Sequence, residues 1–277
     1  MNEGIKGFNM NKQIALVTGA SSGIGEAVAK QLSASGYTVY GTSRHGAKGG
    51  QRPFAMLSLD VTDDTSVQQA VDAVIQKEGR IDLLVNNAGF GIAPAGAEES
   101  SLAQAQSLFD TNFFGAVRMT RAVLPHMRRQ RAGRIIHIGS VLGFLPMPYG
   151  ALYSASKHAI EGYSESLDHE IRQWGIRSIV VEPAYTNTAF GANVVEGDAL
   201  LDDYHEVRTA VDAHLRAVLA GADSPELVAQ IVLKAAQARK PKLRYTAGLM
   251  AARLRLLRNY APAALLDAGL RKDLRLA

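Results

Sequence analysis

The sequence predicts a doubly wound α/β fold, a single domain in which one parallel sheet lies between two layers of helices. Three observations lead there. Short apolar runs alternate with longer stretches of helical spacing as far as Pro183. The runs are continuously apolar rather than alternating, as strands buried on both faces must be. A glycine–serine turn joins the first strand to the first helix, where a parallel α/β unit needs a tight connection. A chain of 277 residues is long enough to bury one large core and short enough to remain undivided.

Gln13 to Val17 is the first strand, ended by Thr18, and Gly25 to Ser35 has helical spacing. Tyr37 to Thr42 reads as the second strand and Phe54 to Leu59 as the third, stopping at Asp60. Asp63 can cap the next helix, on which Val67, Ala70, Val71 and Val74 share a face. Ile81 to Val85 forms the fourth strand, stopped by Asn86-Asn87-Ala88-Gly89. A long helix is expected from about Leu102 to Arg129, then a fifth strand from Arg134 to Ile138. An apolar loop, Val141 to Tyr149, leads to a second long helix, Ala151 to Trp174, and a sixth strand, Ser178 to Val181. Beyond Pro183 the rhythm breaks. Residues 184 to about 220 read as a substrate lid, Pro225 to Ala238 as a helix, and Lys242 to Tyr245 as a last short strand. With no repeat or low-complexity linker, residues 1–11 read as a flexible leader, 12–277 as one domain, and about 248–277 as a helical tail.

There is no cysteine, which excludes disulfides, thiolate metal sites and cysteine nucleophiles, and no metal site is expected. The net charge of +4 is modest, and the basic residues are scattered except near the end. No zinc knuckle, RNA-binding aromatic signature or long basic arm points to nucleic acid. No run approaches the roughly 20 apolar residues of a membrane span. Met1 to Asn11 lacks the apolar core of a signal peptide, so a cytoplasmic protein is expected.

Thr18-Gly19-Ala20-Ser21-Ser22-Gly23-Ile24-Gly25 lies between the first strand and the first helix. Glycines let backbone N–H groups approach a pyrophosphate, whose charge a helix N-terminus stabilises. A glycine cluster alone is weak evidence, because any tight turn selects glycine. Its position after the first strand carries more weight. This cradle, Asn86-Asn87-Ala88-Gly89 and Tyr153-Ser154-Ala155-Ser156-Lys157 occur in order, and together they resemble the short-chain dehydrogenase/reductase family in its one-domain form. The resemblance runs from about Ile14 to Thr188. It implies a three-layer α/β/α Rossmann fold, a nicotinamide cofactor, and hydride transfer between a carbonyl and an alcohol. It also places Gly19, Ser21, Ser22, Gly23, Ile24, Gly25, Asn87, Ala88 and Gly89 among the cofactor-binding residues.

In this fold the end of the second strand meets the adenosine ribose. An acid there accepts from the 2′-hydroxyl of NAD, whereas a basic residue accommodates the 2′-phosphate of NADP. The segment reads Tyr40-Gly41-Thr42-Ser43-Arg44-His45, with no acid. Arg44 offers a bidentate fork and Ser43 a hydroxyl, so NADP(H) is the expected cofactor. An ordinary solvated loop cation is the competing reading of Arg44. The resemblance sets Asp60 against the adenine amino group with Val61 beside the ring, while a capping turn is the other role open to Asp60. It sets Pro183 and Thr188 at the nicotinamide end, although Ala184 stands where the family often has glycine.

Reducing a ketone leaves an alkoxide that must gain a proton. A phenol of pKa about 10 exchanges protons poorly at neutral pH, and a neighbouring cation brings it toward the working range. Tyr153 and Lys157, four apart, share a helix face, so Lys157 is expected to lower the Tyr153 pKa. By resemblance Lys157 also holds the nicotinamide ribose, Ser140 orients the substrate carbonyl, and Asn112 holds a water that links Lys157 to solvent. A Tyr-x-x-x-Lys pair alone is commonplace on helix surfaces. With Ser140 at a strand end and the cradle in place, the expected catalytic set is Asn112, Ser140, Tyr153 and Lys157.

Val141, Leu142, Phe144, Leu145, Met147, Pro148 and Tyr149 make the loop before the second long helix apolar, and Phe90 to Ala97 is small and uncharged. A small apolar ketone or aldehyde, with its alcohol, suits such a lining better than a sugar or an acid. Packing of the loop against the sheet is the competing reading. The region resembles the branch that includes 17β-hydroxysteroid and retinol dehydrogenases, and the resemblance implies a homodimer or homotetramer through the two long helices. The tail, Leu249 to Leu270, is rich in Leu, Ala and Arg. It is expected to bury its apolar stripe against protein, with a membrane surface as the competing partner. Two other classes compete for the whole chain. A dinucleotide-binding sensor or scaffold without turnover would usually lack the tyrosine or the lysine, and a nucleotide-sugar enzyme would space its glycines differently in a longer chain.

Overall fold

The computed structural model describes residues 12–46, 51–188, 194–274 and 276, so the leader of residues 1–11 lies outside the described residues. In chain order the first half contains β1 (Ile14–Val17), α1 (Gly23–Ala34), β2 (Thr38–Ser43), β3 (Ala55–Ser58), α2 (Asp64–Glu78), β4 (Leu83–Asn86), β5 (Gly91–Ile92), α3 (Leu102–Phe109) and α4 (Gly115–Gln130). The second half contains β6 (Gly133–Ile138), α5 (Ala151–Ile171), β7 (Ile176–Pro183), β8 (Val194–Val195), α6 (His205–Ala220), α7 (Pro225–Gln237), β9 (Arg244–Ala247), α8 (Leu249–Tyr260) and α9 (Ala263–Asp273).

The main sheet is parallel throughout, in the order β3-β2-β1-β4-β6-β7-β9. Every residue of β1 and β4 is buried, as the continuously apolar runs require. Val28 and Leu32 of α1 pack with Val228 and Val232 of α7 on one face. Val71 and Val74 of α2, Met119 and Val123 of α4, and Ile171 of α5 cover the other. Asp63 caps α2 through bonds from Thr65 N and Ser66 N at 2.7 and 3.0 Å, and Gly79, at φ 75°, closes it in the left-handed conformation that glycine adopts readily. The strand order reverses between β1 and β4, so a crevice opens at their C-terminal ends.

The structure departs from the sequence expectation in three places. The helix expected from Leu102 to Arg129 is interrupted by a π-helical turn, Asp110–Phe114, between α3 and α4. Such a turn inserts one residue into an otherwise helical path, and Asn112 sits in it. β5 and β8 form a separate two-stranded ribbon that no apolar run signalled. Of the expected lid, residues 189–193 lie outside the described residues, and α6 supplies half of the remainder. Among the described residues no helix is long and apolar enough to cross a membrane.

α5 is fastened to β7 by a buried carboxylate. Asp168 is fully buried, pairs with Arg172 and with Arg177 at 2.7 Å, and accepts from Ser178 N at 3.0 Å. Burial alone would raise its pKa, but Arg177, Arg172 and the Ser178 N–H together hold it below the usual carboxylate range. Its stabilising contribution is therefore present above its unfolded pKa and lost as pH falls through the lower folded value. Asp168→Ala is expected to cost about 3–5 kcal/mol in urea unfolding at neutral pH. The gap to the parent should narrow only below about pH 4. A loss under about 1 kcal/mol would contradict this role.

Candidate active site

The crevice begins with a turn that only glycine fits. Gly19 and Gly23 have φ of 65° and 56°, and a Cβ on Gly25 would fall 2.2 Å from the Gly19 carbonyl oxygen. Asn87 fastens this turn to the end of β4. Its Nδ2 donates to Thr18 O at 2.9 Å and Gly19 O at 3.1 Å, and the N–H groups of Asn87 and Ala88 donate to Thr18 Oγ1 at 2.9 and 3.0 Å. Ser22, the N-cap of α1, makes no side-chain cap bond, so it leaves the first-turn N–H groups to face an anion. The Thr188 side chain lies 3.3 Å from where a Gly23 Cβ would stand. Gly19, Ser21, Ser22, Gly23, Gly25, Asn87, Ala88 and Thr188 thus converge on one cradle. Ile24 packs against the core beside it, and Pro183 ends β7 opposite Ala247. These residues fit a dinucleotide: a pyrophosphate needs this close backbone approach, and a Cβ at Gly25 would abolish it.

Ser43 closes β2 and donates to Gly46 O at 3.2 Å, while the Arg44 side chain is exposed beyond it. Asp60 accepts from Thr62 Oγ1 at 2.7 Å and Thr62 N at 2.9 Å. These bonds hold its carboxyl below the usual range against the opposing effect of burial, helped by Arg44 and Arg118. Val61 is buried against α4, where a Cβ on Gly115 would meet its Cγ2 at 2.7 Å. Arg52 is a residue that sequence reasoning missed. It donates to Ser21 O at 3.2 Å and faces Glu26 at 3.8 Å, bringing a second cation to the cradle. It ends no strand and belongs to no motif, and only the pairing of β2 with β3 carries it there.

At the end of β6, Ser140 follows the strand and its Oγ accepts from Leu142 N at 3.1 Å. Lys157 is 8% exposed, and its Nζ donates to Ile138 O at 2.9 Å and lies 5.6 Å from the centroid of the Tyr153 ring. Burial pulls the Lys157 pKa down to about 8, against the pull of Glu161 one turn further along α5. Burial also pushes the Tyr153 phenol above its usual range. Burial thus works against the lowering of the phenol expected from Lys157. Desolvation acts on both groups, and the ammonium is bonded to a backbone carbonyl at the end of β6. Asn112 is buried in its π turn. Its Oδ1 accepts from Phe90 N at 3.0 Å, and its Nδ2 donates to Phe90 O at 2.9 Å and to Ser156 Oγ at 3.4 Å. It ties the chain after β4, including Gly89, to α5.

The apolar loop divides in two. Val141, Phe144 and Leu145 are buried against Ala251 and Leu254 of α8, so these three pack rather than line an opening. Leu142, Met147, Pro148 and Tyr149 keep partial exposure. Tyr149 has φ 60°, unusual for a non-glycine residue, and its ring meets Tyr204 edge-on at 6.2 Å. A charged layer that the sequence did not disclose lies behind the loop. Arg244 pairs with Glu161 at 2.8 Å and Glu165 at 2.6 Å, and Arg255 of α8 pairs with Glu182. The Arg255 guanidinium also lies 3.7 Å from the centroid of the Phe144 ring. Burial, with the Glu161 carboxylate adding, pushes Glu182 up to about 7 against the opposing pull of Arg255.

A parallel sheet with a glycine cradle at its switch point and, at the same edge, a Tyr–Lys pair whose lysine is buried defines a dinucleotide-binding oxidoreductase. The family profile described as short chain dehydrogenase matches residues 13–199, and the chain belongs to that family. A 3-ketodihydrosphingosine reductase of Bacteroides thetaiotaomicron is 46% identical over 198 residues, covering 70% of this chain and 72% of its own. Retinol dehydrogenase 8 of Bos taurus is 40% identical over 194 residues, covering 65% of this chain and 61% of its own. A solved short chain dehydrogenase/reductase from Burkholderia phymatum, in complex with NAD, matches 91% of this chain and 95% of its own with a TM-score of 0.75 and 27% identity.

Proposed function

We propose that the protein is an NADP(H)-dependent reductase that interconverts a hydrophobic ketone or aldehyde and its alcohol. The observation that carries this reading is the Tyr153–Lys157 pair at the sheet edge, with Ser140 two residues after the Ile138 carbonyl that Lys157 bonds and the phosphate cradle at the same edge. Bound NADPH supplies the hydride that adds to the carbonyl carbon. Ser140, its Oγ already accepting from Leu142 N, keeps its own proton to donate to the substrate oxygen. Tyr153, kept protonated by its surroundings, gives its proton to the forming alkoxide. Lys157 then stabilises the phenolate, and its ammonium would help hold the ribose of a bound cofactor. Asn112 fixes the position of α5 relative to the chain after β4.

The lack of an acid after β2, with Arg44 there and Arg52 at Ser21, supports NADP(H) over NAD(H). The partly exposed Leu142, Met147, Pro148 and Tyr149 support an apolar substrate. So do relatives named for ketodihydrosphingosine and retinol. Leu102 and Phe114, 81% and 48% exposed on α3 and the π turn, support a homodimer that covers them.

Two outcomes follow from this reading. Across a panel of apolar ketones and aldehydes, NADPH is expected to be oxidised in preference to NADH, and Tyr153→Phe should lower kcat/KM by about 10²–10⁴-fold. Tight NADPH binding without turnover on a broad panel would favour a sensor instead, and preference for NADH would overturn the role of Arg44. The second outcome concerns pH. Lys157 loses its charge as pH rises through about 8, so reductive kcat/KM should fall along that limb. Lys157→Arg, whose guanidinium stays charged, should move the limb of the residual activity to higher pH. An unmoved limb would assign the titration to another group.

A further inference from the structure

α8 is apolar on two faces. Its inner face, Ala251 and Leu254, packs on Val141, Phe144 and Leu145, and Arg255 beside them turns inward to Glu182. Its outer face presents Leu249, Arg253, Leu256, Leu257 and Tyr260 at the spacing i, i+4, i+7, i+8 and i+11, which is one side of a helix. Leu249 is 65% exposed, Leu256 60%, Leu257 49% and Tyr260 79%, and Leu265 of the following α9 is 66% exposed. A surface helix ordinarily turns its polar side outward. Large apolar side chains gathered on one outward face mark an interaction site instead.

Charge identifies the occupant. α8 carries three arginines and no acid. Arg255 is committed to Glu182, while Arg253 and Arg258 form no ion pair among the described residues. Residues 248–277 hold six basic residues against two acidic ones, and of those two Asp273 faces His214 at 3.5 Å. A second copy of the chain seated on this stripe through its own α8 would set arginines against arginines, with no acid on either α8 to answer them. An anionic lipid surface meets both features. Leucines and the tyrosine enter the acyl boundary, and arginines pair with lipid phosphates.

We propose that the outward face of α8 docks the protein on an anionic lipid surface, peripherally and without crossing it. The proposal goes beyond the reductase reading and does not depend on it. If that reading holds, docking sets the loop that follows Ser140, which α8 covers, close to a surface in which an apolar carbonyl substrate dissolves.

Co-sedimentation of the full chain with vesicles tests this. Binding is expected to vesicles of phosphatidylcholine with one part in three phosphatidylglycerol. It should be weaker to pure phosphatidylcholine and should be reduced by added salt. Leu256→Ser with Leu257→Ser, and separately Arg253→Glu with Arg258→Glu, should each lower binding to anionic vesicles by about tenfold or more. Both variants should keep the thermal midpoint and the turnover of a water-soluble ketone, because none of the four residues contacts the inner face or the site. Absence of binding to either vesicle, or binding that both variants retain, would overturn the proposal. Light scattering that showed a parent dimer becoming a monomer in both variants would assign the face to a second copy and would overturn it equally. Vesicle binding needs no turnover, so its outcome is separable from that of the reductase reading.

Discussion

The bond from the Lys157 ammonium to the Ile138 carbonyl organises much of this molecule. A buried ammonium costs several kcal/mol in lost hydration unless oxygen atoms answer it. Here the answer comes from the last carbonyl of β6 and, one turn along α5, from Glu161. Glu161 in turn pairs with Arg244 on β9, Arg244 lies 3.7 Å from Glu182 on β7, and Glu182 pairs with Arg255 on α8. Charges of alternating sign thus run from the proposed proton-transfer pair to the tail, joining α5, β6, β7, β9 and α8. The tail helix is therefore bound to the same network as Lys157.

The second anchor is the Thr18–Asn87 network, which holds the ends of β1 and β4 together where the strand order reverses. Because all strands of the main sheet are parallel, their C-terminal ends fall on one edge. The cradle after β1, the turn after β4, Ser140 after β6 and Thr188 after β7 are brought to that edge by the parallel order, and the Thr18–Asn87 bonds then fix the first two against each other.

Much of this was legible in the sequence. The apolar runs gave most main-sheet strands within a residue or two, and Asp63 capped α2 as its side chain suggested. The cradle, Ser140 and the Tyr153–Lys157 spacing pointed to the edge at which they converge. The π turn at Asn112 was illegible, because one residue inserted into a helix barely disturbs a 3.6-residue hydrophobic rhythm. Arg52 and the Glu182–Arg255 pair were hidden because sheet order and tertiary docking, not spacing, bring those groups together. Helix spacing brings Tyr153 and Lys157 together on one face but does not report how burial acts on either group. In α8 the apolar content was visible, but not that Ala251 and Leu254 face inward while Leu256 and Leu257 face out.

Lys157 is a buried cation whose charge its surroundings poise near neutrality. The most direct test is an NMR titration of the lysine side chains in protein labelled at their ε-carbons, with Lys157 assigned by its loss in Lys157→Arg. A midpoint near 8 is expected for that resonance. A midpoint near 10.4, the value of a solvated lysine, would mean that the ammonium is not held in the buried site described here.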